Sequence, residues 1–225
     1  MQRKAFSLIE LLVVVAVISL VMAIALPVVA RVREQAKVTT VNAELRQIGL
    51  ALEMYMESNG GKHPPVRLDC ALGWEDHQLP PELVKGGYLP APPVGVNMSA
   101  GMEDRFNRGH TYKYWAVGDC YMNGMLMPGQ ATRLYIPPGF PHQEGAVEDD
   151  ERYDDPRSSP VTWVVFSHGP HADPNEVLWD LIKLKNGPVP RRCWYQPGQG
   201  RGLIVRMRLL NGRHIGSFES KGIAP

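Results

Sequence analysis

Residues 11–30 carry no charge and only one polar side chain, Ser19. At a rise of ~1.5 Å per residue, a helix over these positions is roughly 30 Å long, the thickness of a bilayer core. A short basic stub, Met1-Gln2-Arg3-Lys4, precedes the run, and Arg31 and Arg33 follow it. Three fates fit such a segment: a secretory signal that is removed, a plain membrane anchor, or an anchor processed in a special way. Charge at the two ends does not orient it, because Arg3 and Lys4 are balanced by Arg31, Arg33 and Lys37.

The remainder reads as globular. A chain of 225 residues has room for one ordinary domain or a small domain plus an appendage, and 44% of it is hydrophobic. With 24 basic against 23 acidic side chains there is no basic stripe of the kind nucleic acid requires. The 22 glycines and 20 prolines point to a loop-rich body.

Glu10 is the residue that an ordinary signal or anchor leaves unexplained. A carboxylate entering lipid unpaired costs on the order of 2 kcal/mol or more, so it normally implies a partner. Its setting is Lys4-Ala5-Phe6-Ser7-Leu8-Ile9-Glu10-Leu11-Leu12. That stretch resembles the processing motif of type IV prepilins and of the pseudopilins of type II secretion. The resemblance implies a cut between Ala5 and Phe6, N-methylation of Phe6, and Glu10 as an assembly residue. It also covers Pro27, which stands where these proteins commonly carry a helix-loosening proline. Ala5 stands where the family usually has glycine, and is likewise small. After the cut, the Phe6 amine lies one helical turn from Glu10. In a helical stack the amine of one subunit pairs with Glu10 of its neighbour. The competing reading takes residues 1–25 as a cleaved signal ending at Ala23-Ile24-Ala25, which frees an exported soluble enzyme or binding module.

Beyond Arg31 the pattern changes. Val38, Val41, Leu45, Ile48, Leu52 and Tyr55 follow a three-four spacing and share one helical face, while Lys37, Glu44, Arg46, Gln47, Glu53 and Glu57 occupy the rest. Ser58-Asn59-Gly60-Gly61 stops the helix. Residues 79–89 read as one or two helical turns ended by Gly86-Gly87. Residues 110–117, 132–136 and 161–167 are strand candidates. Asn211-Gly212 between two apolar runs, 203–210 and 213–218, predicts a hairpin. Residues 173–184 read as a helix capped by Asp173. The expected fold is therefore α+β: a long N-terminal helix packed on a small antiparallel-sheet head. Its parts are a leader over 1–5, a membrane or filament-core half over 6–30, an amphipathic half over 31–58, and the head over 62–225.

No constellation reads as catalytic, since GxSxG, HExxH and Walker-type loops are absent from the sequence, and a non-enzymatic role is expected. Glu148, Asp149, Asp150, Asp154 and Asp155 form the densest acidic cluster. Oxygen ligands at short spacing suit calcium, which major pseudopilins commonly bind, although a solvated acidic loop is the preferred reading. His168, His171 and Asp173, with His142 and His214 in reserve, could be written as a metal set but are read as surface polar residues. Cys70, Cys120 and Cys193 permit one disulfide in an oxidising compartment, with Cys70–Cys120 and Cys120–Cys193 both open, and three reduced, buried cysteines fit equally well. The resemblance implies a subunit of a periplasmic pseudopilus or pilus, with type II secretion favoured by the short helix at 79–89. It further implies a bacterial inner-membrane location, single-pass, with the head in the periplasm. The implied partners are other pilin-like subunits in homo- and hetero-assembly, a prepilin peptidase, an inner-membrane assembly platform and membrane lipid.

Overall fold

The computed structural model describes residues 8–68, 77–142, 150–170 and 188–219. In chain order the elements are α1 (Leu8–Ser58), β1 (Val66–Leu68), α2 (Glu82–Lys85), β2 (Lys113–Ala116), β3 (Gly118–Met122), β4 (Met125–Thr132), β5 (Leu134–Ile136), β6 (Glu151–Tyr153), β7 (Val161–Ser167), β8 (Ile204–Leu209) and β9 (His214–Gly216). A 3-10 turn at Arg191–Cys193 precedes β8. The chain is α+β, a long N-terminal helix with a head of mainly antiparallel sheets, as expected. It divides into two compact units, Met1–Thr39 and Thr40–Pro225.

In the first unit, α1 is exposed along its apolar run. In the second, the three-four stripe does what its spacing predicts: Val41, Leu45, Ile48 and Leu52 are fully buried, and Tyr55 is half-buried. Val38 is buried as well. The stripe lies on a four-stranded sheet of order β2-β7-β8-β9, antiparallel throughout. Gly49 sits in this seam, where a Cβ would come within 2.9 Å of Arg206 Nε and 3.2 Å of the Trp163 ring. The missing side chain lets helix and sheet approach closely.

Every residue of β7 is buried, which explains its unbroken run Val-Thr-Trp-Val-Val-Phe-Ser in place of strict alternation. Trp163 and Val165 share a face with their β8 partners Arg208 and Arg206, the face that α1 covers. Val164 and Phe166, with Met207 and Val205, face the opposite way into a second core. Leu134, Ile136, Phe140, Val189, Trp194 and Leu203 complete that core.

The remaining sheets are small: β1-β3-β4, with β1 parallel to β3, and the β5-β6 pair. The expected strand over 110–117 is shorter, Lys113–Ala116, because residues 103–111 form a loop closed by the bridge between Glu103 and Thr111. The expected strand over 132–136 is divided, with Thr132 ending β4 and β5 beginning at Leu134. The helix at 79–89 is a single turn, Glu82–Lys85. Gly87 adopts φ of 75°, and the Tyr88 and Leu89 N–H groups both donate to the Leu83 carbonyl, which closes the turn. The helix expected at 173–184 lies outside the described residues.

The Asn211-Gly212 hairpin is present between β8 and β9. Its loop holds three residues, with Gly212 at φ of 83° and its N–H donating to the Leu209 carbonyl. A second Asn-Gly pair, Asn123-Gly124, closes β3 onto β4 with both residues left-handed, at φ of 49° and 81°. That is the two-residue turn the dipeptide favours, and the sequence reading passed over it.

His77 joins β1 to β2: its N–H donates to the Arg67 carbonyl at 2.8 Å, and its carbonyl accepts the Tyr114 N–H at 2.6 Å. Its ring is buried and stacked on Trp115 with centroids 3.9 Å apart. Burial, helped by the nearby Lys113 charge, lowers its pKa to about 3.

Two predictions follow from this packing. In full-length protein held in detergent, Leu45→Ala should lower unfolding free energy by about 2–5 kcal/mol. Leu50→Ala on the same helix should stay within about 0.5 kcal/mol, since Leu50 is 62% exposed. Urea titration read by tryptophan fluorescence checks both, and equal effects would contradict the seam.

The second concerns pH. The unfolded chain protonates His77 near 6.5 and the folded chain only near 3, so the stability tied to neutral His77 is complete above pH 6.5 and lost as pH falls toward 3. The slope for this one group is about 1.4 kcal/mol per pH unit. His63, whose pKa burial also lowers, adds to it in the same direction. His77→Gln should remove one proton's share of the acid slope between pH 6 and 4; an unchanged slope would refute the assignment.

Candidate functional site

Glu10 lies in the first turn of α1, where a carboxylate complements the partial positive charge of the helix N-terminus. It is exposed. Ala5 and Phe6, the expected processing pair, lie outside the described residues. From Leu8 at 79% exposure to Val29 at 44%, the large apolar side chains of this segment all face outward. The helix is long and apolar enough to cross a membrane, and its most apolar window has no buried residue. Pro27 lies inside α1, which continues through it. Having no N–H, Pro27 leaves the Ala23 carbonyl without its helical donor, a local loosening within an otherwise regular helix.

The head grips the second half of α1 through polar groups at the margins of the apolar stripe. The sequence reading placed Glu44 and Glu53 off the apolar face, and both are half-buried at the margins of the stripe. Arg105 Nε donates to Glu44 at 3.1 and 3.3 Å, and the buried Tyr112 hydroxyl donates to the same carboxylate. Burial and the Glu44 hydrogen bond push the Tyr112 pKa far upward, so its hydroxyl keeps its proton and remains a donor. About two and a half turns past Glu44, Glu53 Oε1 lies 2.9 Å from Arg208 Nε and 3.0 Å from His214 Nε2. Arg46 pairs with Glu219 at 3.2 Å, and Glu219 also pairs with Arg206 on β8. Nothing in the residue spacing announced these partners, because each lies far away in sequence.

A buried polar knot lies elsewhere in the head. Asp104, fully buried, accepts the Ser167 hydroxyl at 2.7 Å, the Phe106 N–H at 3.0 Å and the His168 N–H at 3.3 Å. His168 Nδ1 lies 3.7 Å from Asp104. His168 was expected at the surface; it is 2% exposed, enclosed with Asp104 at the end of β7. Ser167 donates to the aspartate and not to the imidazole, so the trio anchors the 103–111 loop and is not arranged as a nucleophile with its base.

The acidic candidates are spread out. Asp150 Oδ2 lies 3.5 Å from Arg192, Asp154 pairs with Arg152 at 3.0 Å, and Asp155 with Arg157 at 3.3 Å. The Arg157 backbone N–H and guanidinium lower the Asp155 pKa. Glu148 and Asp149 lie outside the described residues, as do His171, Asp173 and Cys70. Among the described residues no three His, Cys, Asp or Glu side chains converge as metal ligands. His142 is exposed, and His214 is engaged with Glu53. Cys120 is buried in β3 and Cys193 is half-buried beside the second core, and the two are not bridged to each other. Tyr112 and Tyr114 are buried and Trp115 stacks on His77, packing roles that account for this aromatic group.

Comparison with known proteins bears on the N-terminus alone. The family described as "Prokaryotic N-terminal methylation motif" matches residues 1–26. No curated protein and no solved structure matches the chain. The matched segment holds Ala5, Phe6 and Glu10 and most of the exposed apolar run. The chain thus carries a type IV pilin-like, prepilin-type N-terminus ahead of an α+β head.

Proposed function

We propose that this chain is a structural subunit of a periplasmic pseudopilus or pilus, without enzymatic activity, that serves type II protein secretion. A prepilin peptidase cuts between Ala5 and Phe6 at the cytoplasmic face, and Phe6 is methylated. The subunit waits in the inner membrane, single-pass, with its head in the periplasm, until an assembly platform lifts it into a filament of pilin-like subunits. The observation that carries this reading is the methylation motif over residues 1–26 leading directly into an outward-facing apolar helix. The short α2 turn after α1 supports the secretion branch.

The chemistry follows from two charges. Removal of residues 1–5 creates an amine at Phe6, one helical turn from Glu10. In lipid the apolar face gains little from touching other helices, because acyl chains are equally apolar. Once lifted out, the same side chains must be covered by neighbouring helices. Each amine then meets the Glu10 of a neighbour, which neutralises two charges in a low-dielectric core and fixes axial register. The polar clamps at Glu44, Arg46 and Glu53 transmit the pull from helix to head.

Two measurements test the proposal. The mass of the N-terminal peptide from native membrane should be that of N-methylated Phe6. A mature start at Leu26 would refute it and leave the head as an exported soluble protein. Glu10→Gln should be cleaved normally yet lower the assembled fraction by about tenfold or more, since an amine buried without its partner costs about 3–5 kcal/mol. Filaments at wild-type yield would remove Glu10 from the mechanism.

A further inference from the structure

We infer that the head carries a binding site for a small neutral saccharide, in a cavity of about 330 Å³ between the β1-β3 ladder and the loop around residue 98. The volume lies at the lower end of the range of small-molecule sites, about 300–1,000 Å³. The inference concerns the head alone and does not depend on how the N-terminus is processed.

The floor comes from strand register. β1 and β3 are parallel neighbours with Arg67 opposite Tyr121, so both side chains stand on one face. The Arg67 guanidinium lies 4.4 Å from the Tyr121 ring centre. Arg67 also pairs with Glu82 of α2, and this pairing neutralises the only charged side chain among the lining residues. The walls are amides and a hydroxyl: Gln78, Asn97, Asn123 and Ser99. Gln78 Oε1 accepts the Ser99 N–H at 3.2 Å, which holds the loop against the bridge that Gln78 makes to Lys113. Leu68, Pro81 and Met98 add apolar surface.

This composition selects a ligand class. With its cation already paired, the cavity offers an anion no net attraction. Carboxamides donate and accept within one group, which matches adjacent hydroxyls, themselves donors and acceptors. A wall of carboxamides and a serine offers donors and acceptors together, a mixture that hydroxyl groups match and a purely anionic or purely apolar ligand does not. The apolar patches and the Tyr121 edge suit the C–H faces of a sugar ring.

The test uses full-length protein in amphipol, because sugar-headed detergents would compete. Maltose and diacetylchitobiose are titrated by calorimetry and by saturation-transfer NMR, with galacturonate and inorganic phosphate as anionic comparators. At least one neutral disaccharide should bind saturably, with Kd on the order of 1 mM. Asn97→Ala should weaken it by about five- to tenfold, the loss of a hydrogen bond or two. Asn97→Trp, at an exposed rim position that tolerates bulk, should abolish binding while circular dichroism stays unchanged. Absence of saturable binding by both disaccharides, stronger binding of either anion, or unaltered binding in folded Asn97→Trp would each overturn the inference.

Discussion

From Leu8 to Val32 the large apolar side chains of α1 face outward, and none of the described residues covers them. Covering a leucine, isoleucine or valine contributes about 1.5–3 kcal/mol relative to leaving it in water. A dozen such residues together outweigh the 5–15 kcal/mol by which a domain is ordinarily stable. A protein of this kind is therefore never at rest in water: its helix is in lipid, or against other helices, and the rest of the structure is built for a chain with that constraint. α1 itself continues past Pro27 as a single helix to Ser58.

The second half of α1 is held to the head by a division of labour. The seam of Val41, Leu45, Ile48 and Leu52 supplies cohesion through burial, and Gly49 lets the backbone come close enough for Trp163 and Arg206 to fill the gap. The flanking charges contribute geometry more than energy, because partly exposed ion pairs are worth little in water. Glu44, Arg46 and Glu53 meet partners on the 103–111 loop, on β8 and β9, and at Glu219. A helix so fastened resists both sliding and rotation, since either motion would separate several pairs at once.

What the sequence revealed about this molecule depended on how local each signal was. The apolar run and the three-four stripe are periodic over many residues, so the helix and its buried face were readable residue by residue. β7 and the β8–β9 hairpin were readable because apolar strands bracket an Asn-Gly pair. β3 and β4 were not, although Asn123-Gly124 offered the same signal, because Gly-Asp-Cys and Pro-Gly-Gln break the strand pattern around it. His168 looked like a surface polar residue, since its burial depends on a partner, Asp104, 64 positions away. The partners of Glu44 and Glu53 were hidden for the same reason: a glutamate beside an apolar stripe looks identical whether it faces water or an arginine distant in sequence.

In the filament proposed above, Glu10 would separate register from affinity. Before assembly it lies in the first helical turn, where the macrodipole favours its charge. In the proposed filament it would exchange that setting and its hydration for a single cationic partner, and such exchanges come out near break-even. The pair therefore adds little to cohesion, which the apolar helices already provide in excess once they leave lipid. What it adds is a penalty for every wrong offset, because a slipped helix buries two unpaired charges. An apolar surface alone is nearly indifferent to sliding by one turn; one carboxylate placed near its end makes a single axial position stable and the rest costly.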